Sequence, residues 1–446
     1  MNSVPILPSC LAGLLVLGAC SSNNRDTNPA ASQPTVAASL SGLGLNTLAA
    51  AVAAAGLDDD LAGPGPFTLF APSDAAFAAL PPGQLDSLLQ PQNRQLLVDV
   101  LLYHVVSGSV DAATAATLTD AATLGGVDLL IDGVGGDLYV NDARVTDADK
   151  LARNGIVHVV DRVLLPPKPI VQTLVDRGFD TLVAAVGAAN LAGALSGSAP
   201  LTVLAPTNAA FAALGQSTLD DLLLPANQAQ LARILTYHVV PGAVTAGTAL
   251  DVELAASLQG QQVLFASASG SARVNGATIQ VFNIPCTNGV IHVLDAVLAV
   301  PEPIATVASD GGFSTLVAAL TATNLAPTFA DPAAGPFTVF APTDAAFAAL
   351  PPGLLNQLLQ PVNLPVLTQI LQYHVLSGAS TERDVKLAAG AGLTTLQGAA
   401  VSVAHGAAGL NLDGLPVLAA DVLAANGIVH AIDGVLVPSG VLSQLQ

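Results

Sequence analysis

The stretch GPFTLFAPSDAAFAALPPG, from Gly65 to Gly83, returns nearly letter for letter as GPFTVFAPTDAAFAALPPG from Gly335 to Gly353. A looser copy, PLTVLAPTNAAFAAL, runs from Pro200 to Leu214. In each copy an apolar run leads into Ala-Pro, then Ser or Thr beside Asp or Asn, then an Ala-rich segment with one Phe. That order predicts a strand, a corner and a capped helix. A chain that uses one such plan three times folds as three similar units, and 446 residues divide into three domains of ordinary size.

The remainder of each unit repeats as well. Asn46, Asp180 and Ser314 each stand two residues before a Leu that opens a Leu/Val/Ala pattern, which predicts a helix with a side chain of N-cap type at its start. Gly56, Asn190 and Asn324 follow ten residues later, and these residue types suit a left-handed helix end. Further on, helical patterns run into Tyr103-His104-Val105-Val106, Tyr237-His238-Val239-Val240 and Tyr373-His374-Val375-Leu376, each closed by a Gly. β-branched residues and a terminal Gly predict that helix gives way to strand there.

The last third of each unit reads as a β meander. The turn pairs Asn141-Asp142, Asn275-Gly276 and Asp413-Gly414 are followed by Asn154-Gly155, Asn288-Gly289 and Asn426-Gly427, dipeptides that permit the positive φ of tight hairpins. The second turn launches IVHVVDRVLLP, VIHVLDAVLAVP or IVHAIDGVLVP. Proline then ends the unit. These signals divide the chain into domains at 42–166, 167–300 and 301–438, with a tail at 439–446, all of α+β class.

Residues 1–20 contain an apolar core from Leu11 to Ala19, shorter than a membrane-spanning helix and readable as an export signal over 1–19. Leu17-Gly18-Ala19-Cys20 resembles the lipobox of bacterial lipoproteins, in which cleavage precedes the Cys and its thiol receives a lipid; no Lys or Arg precedes Cys20. Ser, Asn, Pro, Thr and Ala follow, so 20–41 is expected to be a lipidated Cys and a flexible tether. The expected location is the cell envelope, at the outer membrane where the cell has one, with secretion as the alternative.

The net charge of -20 repels phosphate backbones and anionic lipid heads, which argues against a nucleic-acid partner and leaves the lipid anchor as the one membrane contact. Residues 47–166 hold 15 acidic and 5 basic side chains, more acidic than either later unit. Cys10, Cys20 and Cys286 are the three cysteines. Two fall in the apolar leader, so no disulfide framework is available, and Cys286 reads as a small buried hydrophobe.

TLFAPSDAAF, YHVVSG and NGIVHVVDRVL, in that order and three times over, resemble the fasciclin (FAS1) domain: its first box, its Tyr-His motif and its second box. The resemblance implies three tandem domains, each a bent β-sandwich wedge with packed helices, and an extracellular adhesion or matrix-contact role. In animal members adhesion has been tied to residues near the Tyr-His motif and the second box. The corresponding residues here are Tyr103, His104, Tyr237, His238, Tyr373, His374, His158, His292 and His430, read as structural residues or candidate partner contacts. The Asp-Ile element of some animal members and Arg-Gly-Asp are absent.

The residues themselves favour structure over chemistry. Six histidines occupy two repeated sites, and His158 and Asp161 are an odd number of positions apart on a strand, so they face opposite ways. Ser73, Thr207 and Thr343 precede helices without a Gly-x-Ser-x-Gly elbow, which suits capping rather than attack on a substrate. Asp58-Asp59-Asp60 and Asp137, Asp142, Asp147 and Asp149 lack the order of a calcium loop. The sequence therefore predicts no catalytic, cofactor or metal residues. The expected function is surface adhesion through protein or neutral glycan, with a glycan-binding or small-ligand-binding envelope protein as first alternative and a hydrolase as second.

Overall fold

A computed structural model describes residues 33–268, 271–406 and 409–446. The leader, Cys20 and most of the expected tether lie outside the described residues. In the first domain, strands Phe67–Pro72 (β1), Val105–Ser107 (β2), Asp120–Ala122 (β3), Asp128–Val134 (β4), Asp137–Val140 (β5), Ala143–Ala152 (β6) and Gly155–Val160 (β7) form one sheet in the order β2-β1-β7-β6-β5-β4-β3. β1 and β7 run parallel and the other neighbours antiparallel. The second domain repeats this order; in the third, Leu393–Thr394 and Ala400–Val401 pair apart from a six-stranded sheet.

The apolar run of β1 does not alternate because both of its faces are covered. Leu69 and Ala71 enter a core beneath the helices with Val52, Leu97 and Val157. Phe70 enters a second core with Leu129, Ile131, Val140 and Val160. What lets one sheet enclose both is β6, whose register with β7 slips between Val145 and Asp147 and again before Lys150. Asp149, Asn283 and Asp421 occupy the left-handed region at the three bulges, with φ of 59°, 51° and 58°. Bulges increase twist, and the sheet curls there, giving a curled sheet with packed helices of the α+β class that the sequence predicts.

Two local expectations change in the structure. Asn46, Asp180 and Ser314 are the first residues of their helices, not the caps. The amides of Thr47, Thr181 and Thr315 are instead bonded by Asp74, Asn208 and Asp344 across the domain, at 2.8, 3.1 and 2.7 Å. The first-box Asp or Asn oxygen thus serves a neighbouring helix, while Ser73, Thr207 and Thr343 cap their own by accepting from Ala76, Ala210 and Ala346 at 3.1 Å.

The tether is also shorter than expected. Val36–Ser39 is helical, capped by Thr35, and Val36 and Leu40 are buried in the first core. Its counterparts are Ile170–Asp176 and Ile304–Asp310. Residues from Thr35 to Ser41 therefore belong to the first domain, held by the turn that precedes β7: the Val36 amide donates to Asn154 and the Arg153 amide to the Pro34 carbonyl. At the other end, Val441 is buried and the Gln446 amide donates to Asn363 at 3.0 Å, so the 439–446 segment packs on the third domain.

Candidate functional site

The Tyr-His motif closes the long helices Arg94–Tyr103, Gln228–Tyr237 and Leu364–Tyr373, with the His at the C-cap. There Nδ1 lies 2.7, 2.8 and 2.8 Å from the carbonyls of Val100, Ile234 and Ile370, four residues back. Nε2 accepts from the amides of Leu164, Leu298 and Leu436 at 2.9, 2.8 and 2.9 Å. An N–H aimed at Nε2 leaves that nitrogen no proton, so Nδ1 carries it and the ring is neutral. Each His splices the end of a helix to the segment after the last strand, and burial pushes all three down to about 4.

The second-box histidines use the opposite tautomer. Nδ1 of His158, His292 and His430 accepts from the bulge amides of Asp149, Asn283 and Asp421 at 3.2 Å. Their Nε2 atoms lie 2.8, 2.9 and 3.0 Å from the carbonyls of Val110, Val244 and Ser380 and donate to them. Burial also lowers His292 and His430. All six rings are at most 2 % exposed.

The tyrosines are equally engaged. Tyr103 and Tyr237 donate to the carbonyls of Asp128 and Gln262 and accept from Asn141 and Asn275. In the third domain Asp413 takes the place of Asn and accepts from Tyr373 at 2.8 Å. Burial pushes Tyr103 up to about 12 and raises Tyr237 and Tyr373 too. The motif residues singled out as candidate partner contacts thus lie inside, with every ring nitrogen and hydroxyl committed to the fold.

Several repeated supports carry no obvious signal in the sequence. Thr68, Thr202 and Thr338, wholly buried in the first-box strand, donate to Gly108, Gly242 and Gly378 and accept from Val110, Val244 and Ser380. Asn154, Asn288 and Asn426 accept from the first amide of each leading helix at 2.8, 3.0 and 2.9 Å. Their Nδ2 groups donate to two carbonyls more than ninety residues away. None of these three Asn has positive φ, unlike Asn141, Asn275 and Asp413; the second turn keeps Asn for its amide.

Other candidates for chemistry resolve in the same direction. The Cys286 thiol, pushed up to about 11 by burial, lies 3.5 Å from the Thr173 hydroxyl, which disfavours a reactive thiolate. Among the described residues no group of three His, Cys, Asp or Glu is placed to hold a metal ion. No helix among them is long and apolar enough to cross a membrane.

Polar side chains also join the domains. Asp132 accepts from the Gly247 amide and from Asn283 Nδ2, both at 2.8 Å, while Tyr139 meets Phe282 edge-on at 5.3 Å. Arg177 pairs with buried Asp142 at 2.8 Å. At the second junction Thr381 donates to Glu253 at 2.6 Å and Arg383 to the Asp251 carbonyl at 2.9 Å. Both junctions bring a carboxylate of one domain to the start of the same helix in the next.

Three curled α+β domains built on one set of internal hydrogen bonds and joined end to end define a tandem-repeat class. The fasciclin domain model matches residues 43–166, 177–301 and 311–438, and the chain belongs to the fasciclin family. It is 32% identical over 408 residues to transforming growth factor-beta-induced protein ig-h3 of Sus scrofa, which covers 88% of this chain and 56% of that protein. The chain thus spans little more than half the length of that relative. Protein sll1483 of Synechocystis is 51% identical over 123 residues, covering 28% of this chain and 68% of that protein. Immunogenic protein MPB70 of Mycobacterium bovis is 33% identical over 177 residues, covering 37% of this chain and 89% of that protein.

Proposed function

We propose that the chain is a cell-surface adhesion or matrix-contact protein, exported and held at the envelope by a lipid on Cys20, and that it is not an enzyme. The observation that carries this reading is the internal commitment of the repeated polar groups. Six imidazoles and three phenols spend their hydrogen bonds on the backbone and turns of their own domain, which leaves contact to the outer surfaces of a joined array. Net charge of -20 favours protein or neutral glycan over anionic polymers. Three linked modules also raise the effective concentration of weak contacts, a gain of about 10²–10⁴ in avidity when geometry allows simultaneous engagement. Catalysis gains nothing comparable from repetition.

The test is adhesion by cells expressing the full chain, its Cys20→Ser variant, or a lipidated first domain ending at 166, with folding of the short form checked by circular dichroism. The full chain is expected to partition into detergent and to hold cells to envelope or matrix material more strongly than one domain does. Cys20→Ser should move the protein to the aqueous phase and remove cell-bound adhesion. Equal adhesion by one and three domains would refute the array reading. Unchanged partitioning would refute the anchor, and robust turnover of ester, glycoside or peptide substrates would refute the non-enzymatic assignment.

A further inference from the structure

A cleft of about 480 Å³ opens where the first domain meets the second, within the size range of small-molecule sites and in the domain-interface position where such sites concentrate. Leu80 and Leu165 form its wall on the first domain, and Phe179, Val281 and Pro285 on the second. Its polar lining includes Arg162, Lys168 and Arg177, three of only 12 Lys and Arg residues in the chain.

Of the three carboxylates that share this lining, Asp142 and Asp176 are already paired with cations, while Asp161 holds a backbone amide. Asp142 pairs with Arg177 at 2.8 Å, Asp176 with Lys168 at 2.6 Å, and Asp161 accepts from the Arg144 amide at 2.8 Å. Arg162 is exposed and makes no hydrogen bond or ion pair among the described residues. Arg162 is therefore the one cation of this lining without an ionic partner among the described residues. The feature belongs to this junction alone, because the positions equivalent to Arg162, Lys168 and Arg177 at the second junction are Ala296, Glu302 and Gly311.

We infer that this cleft binds a single-chain amphiphile with a carboxylate head, its apolar body lying between Leu80, Leu165, Phe179 and Val281 and its head paired with Arg162. A planar guanidinium offers two parallel N–H groups that match the two oxygens of a carboxylate. This binding activity is separate from adhesion and does not require it.

The experiment titrates the full chain with 11-(dansylamino)undecanoate by fluorescence, and then competes with oleate, oleyl alcohol and acetate. Saturable binding of one probe per chain is expected, displaced by oleate, at least tenfold less well by the neutral alcohol, and not by acetate. Arg162→Gln should weaken binding at least tenfold, because it removes the charge-assisted pair of hydrogen bonds to the head. Ala79→Phe, at an exposed position on the cleft wall, should abolish it by filling the apolar space. Circular dichroism of both variants should match the parent. Absence of saturable binding, or binding that survives both substitutions, overturns the site; equal displacement by oleate and oleyl alcohol overturns the role of Arg162.

Discussion

Lowering the pH from 7 to about 4 is expected to remove on the order of 3 kcal/mol of stability from each domain through the Tyr-His motif alone. His104, His238 and His374 titrate at about 4 in the folded chain, against an ordinary 6.5. Between those values the unfolded chain binds a proton that the folded chain refuses. The stabilisation is therefore complete above 6.5 and is lost as pH falls toward 4. Protonation is refused for a geometric reason as well as burial, since a second ring proton would face the amide of Leu164, Leu298 or Leu436.

His292 adds to the loss in the second domain. In the third, burial raises Asp421, and this carboxyl takes up a proton more readily when folded, offsetting part of the effect. Calorimetric scans at pH 7 and 4.5 should show the first two domains melting about 10 °C lower at the acid pH. Transitions that stay in place would show that the imidazoles accept protons within the fold.

Gly289→Ala is expected to cost more than about 4 kcal/mol and to unfold the second domain, a loss at the upper end for a single substitution. Gly289 opens the last strand of that domain beside Leu201, and a Cβ there would overlap the Leu201 carbonyl oxygen and crowd its backbone N and C at 2.8 Å. All three contacts are backbone of a paired parallel strand, so no side chain can swing aside. Gly276 makes a control: its φ is 86°, but a Cβ would meet nothing within 4 Å. Gly276→Ala should cost only about 1 kcal/mol, the conformational penalty alone. Urea denaturation of both variants separates the two cases, and equal midpoints would refute the close-approach account.

The contrast between these glycines marks what the sequence could and could not reveal. Strand, cap and turn are local, and residues such as Ser73 or Gly56 announce them by type. The job of Asn154 is not local. An Asn-Gly pair reads as a hairpin turn, yet its Asn holds Val36, 118 residues away. Asp74 likewise reads as a helpful charge in its own helix, whereas its oxygen bonds Thr47. The helix at Val36–Ser39 is one turn of Val, Ala and Ser in a Pro- and Thr-rich stretch, too short to show a period. The bulge at Asp149 is hidden because a left-handed Asp looks like any exposed polar residue on a strand. The resemblance located the motif histidines, but their tautomers depend on which amide each ring faces, a tertiary fact.

The most direct measurement of the central claim, that the repeated motif residues hold the fold while adhesion uses other surfaces, is His158→Ala. The substitution leaves the Asp149 amide and the Val110 carbonyl without their buried partner, at a cost of about 1–3 kcal/mol for each unsatisfied group. The first domain should melt at a lower temperature, while adhesion per folded molecule of the full chain stays at the parent level. An unchanged melt together with lost adhesion would contradict the account and make His158 a contact residue.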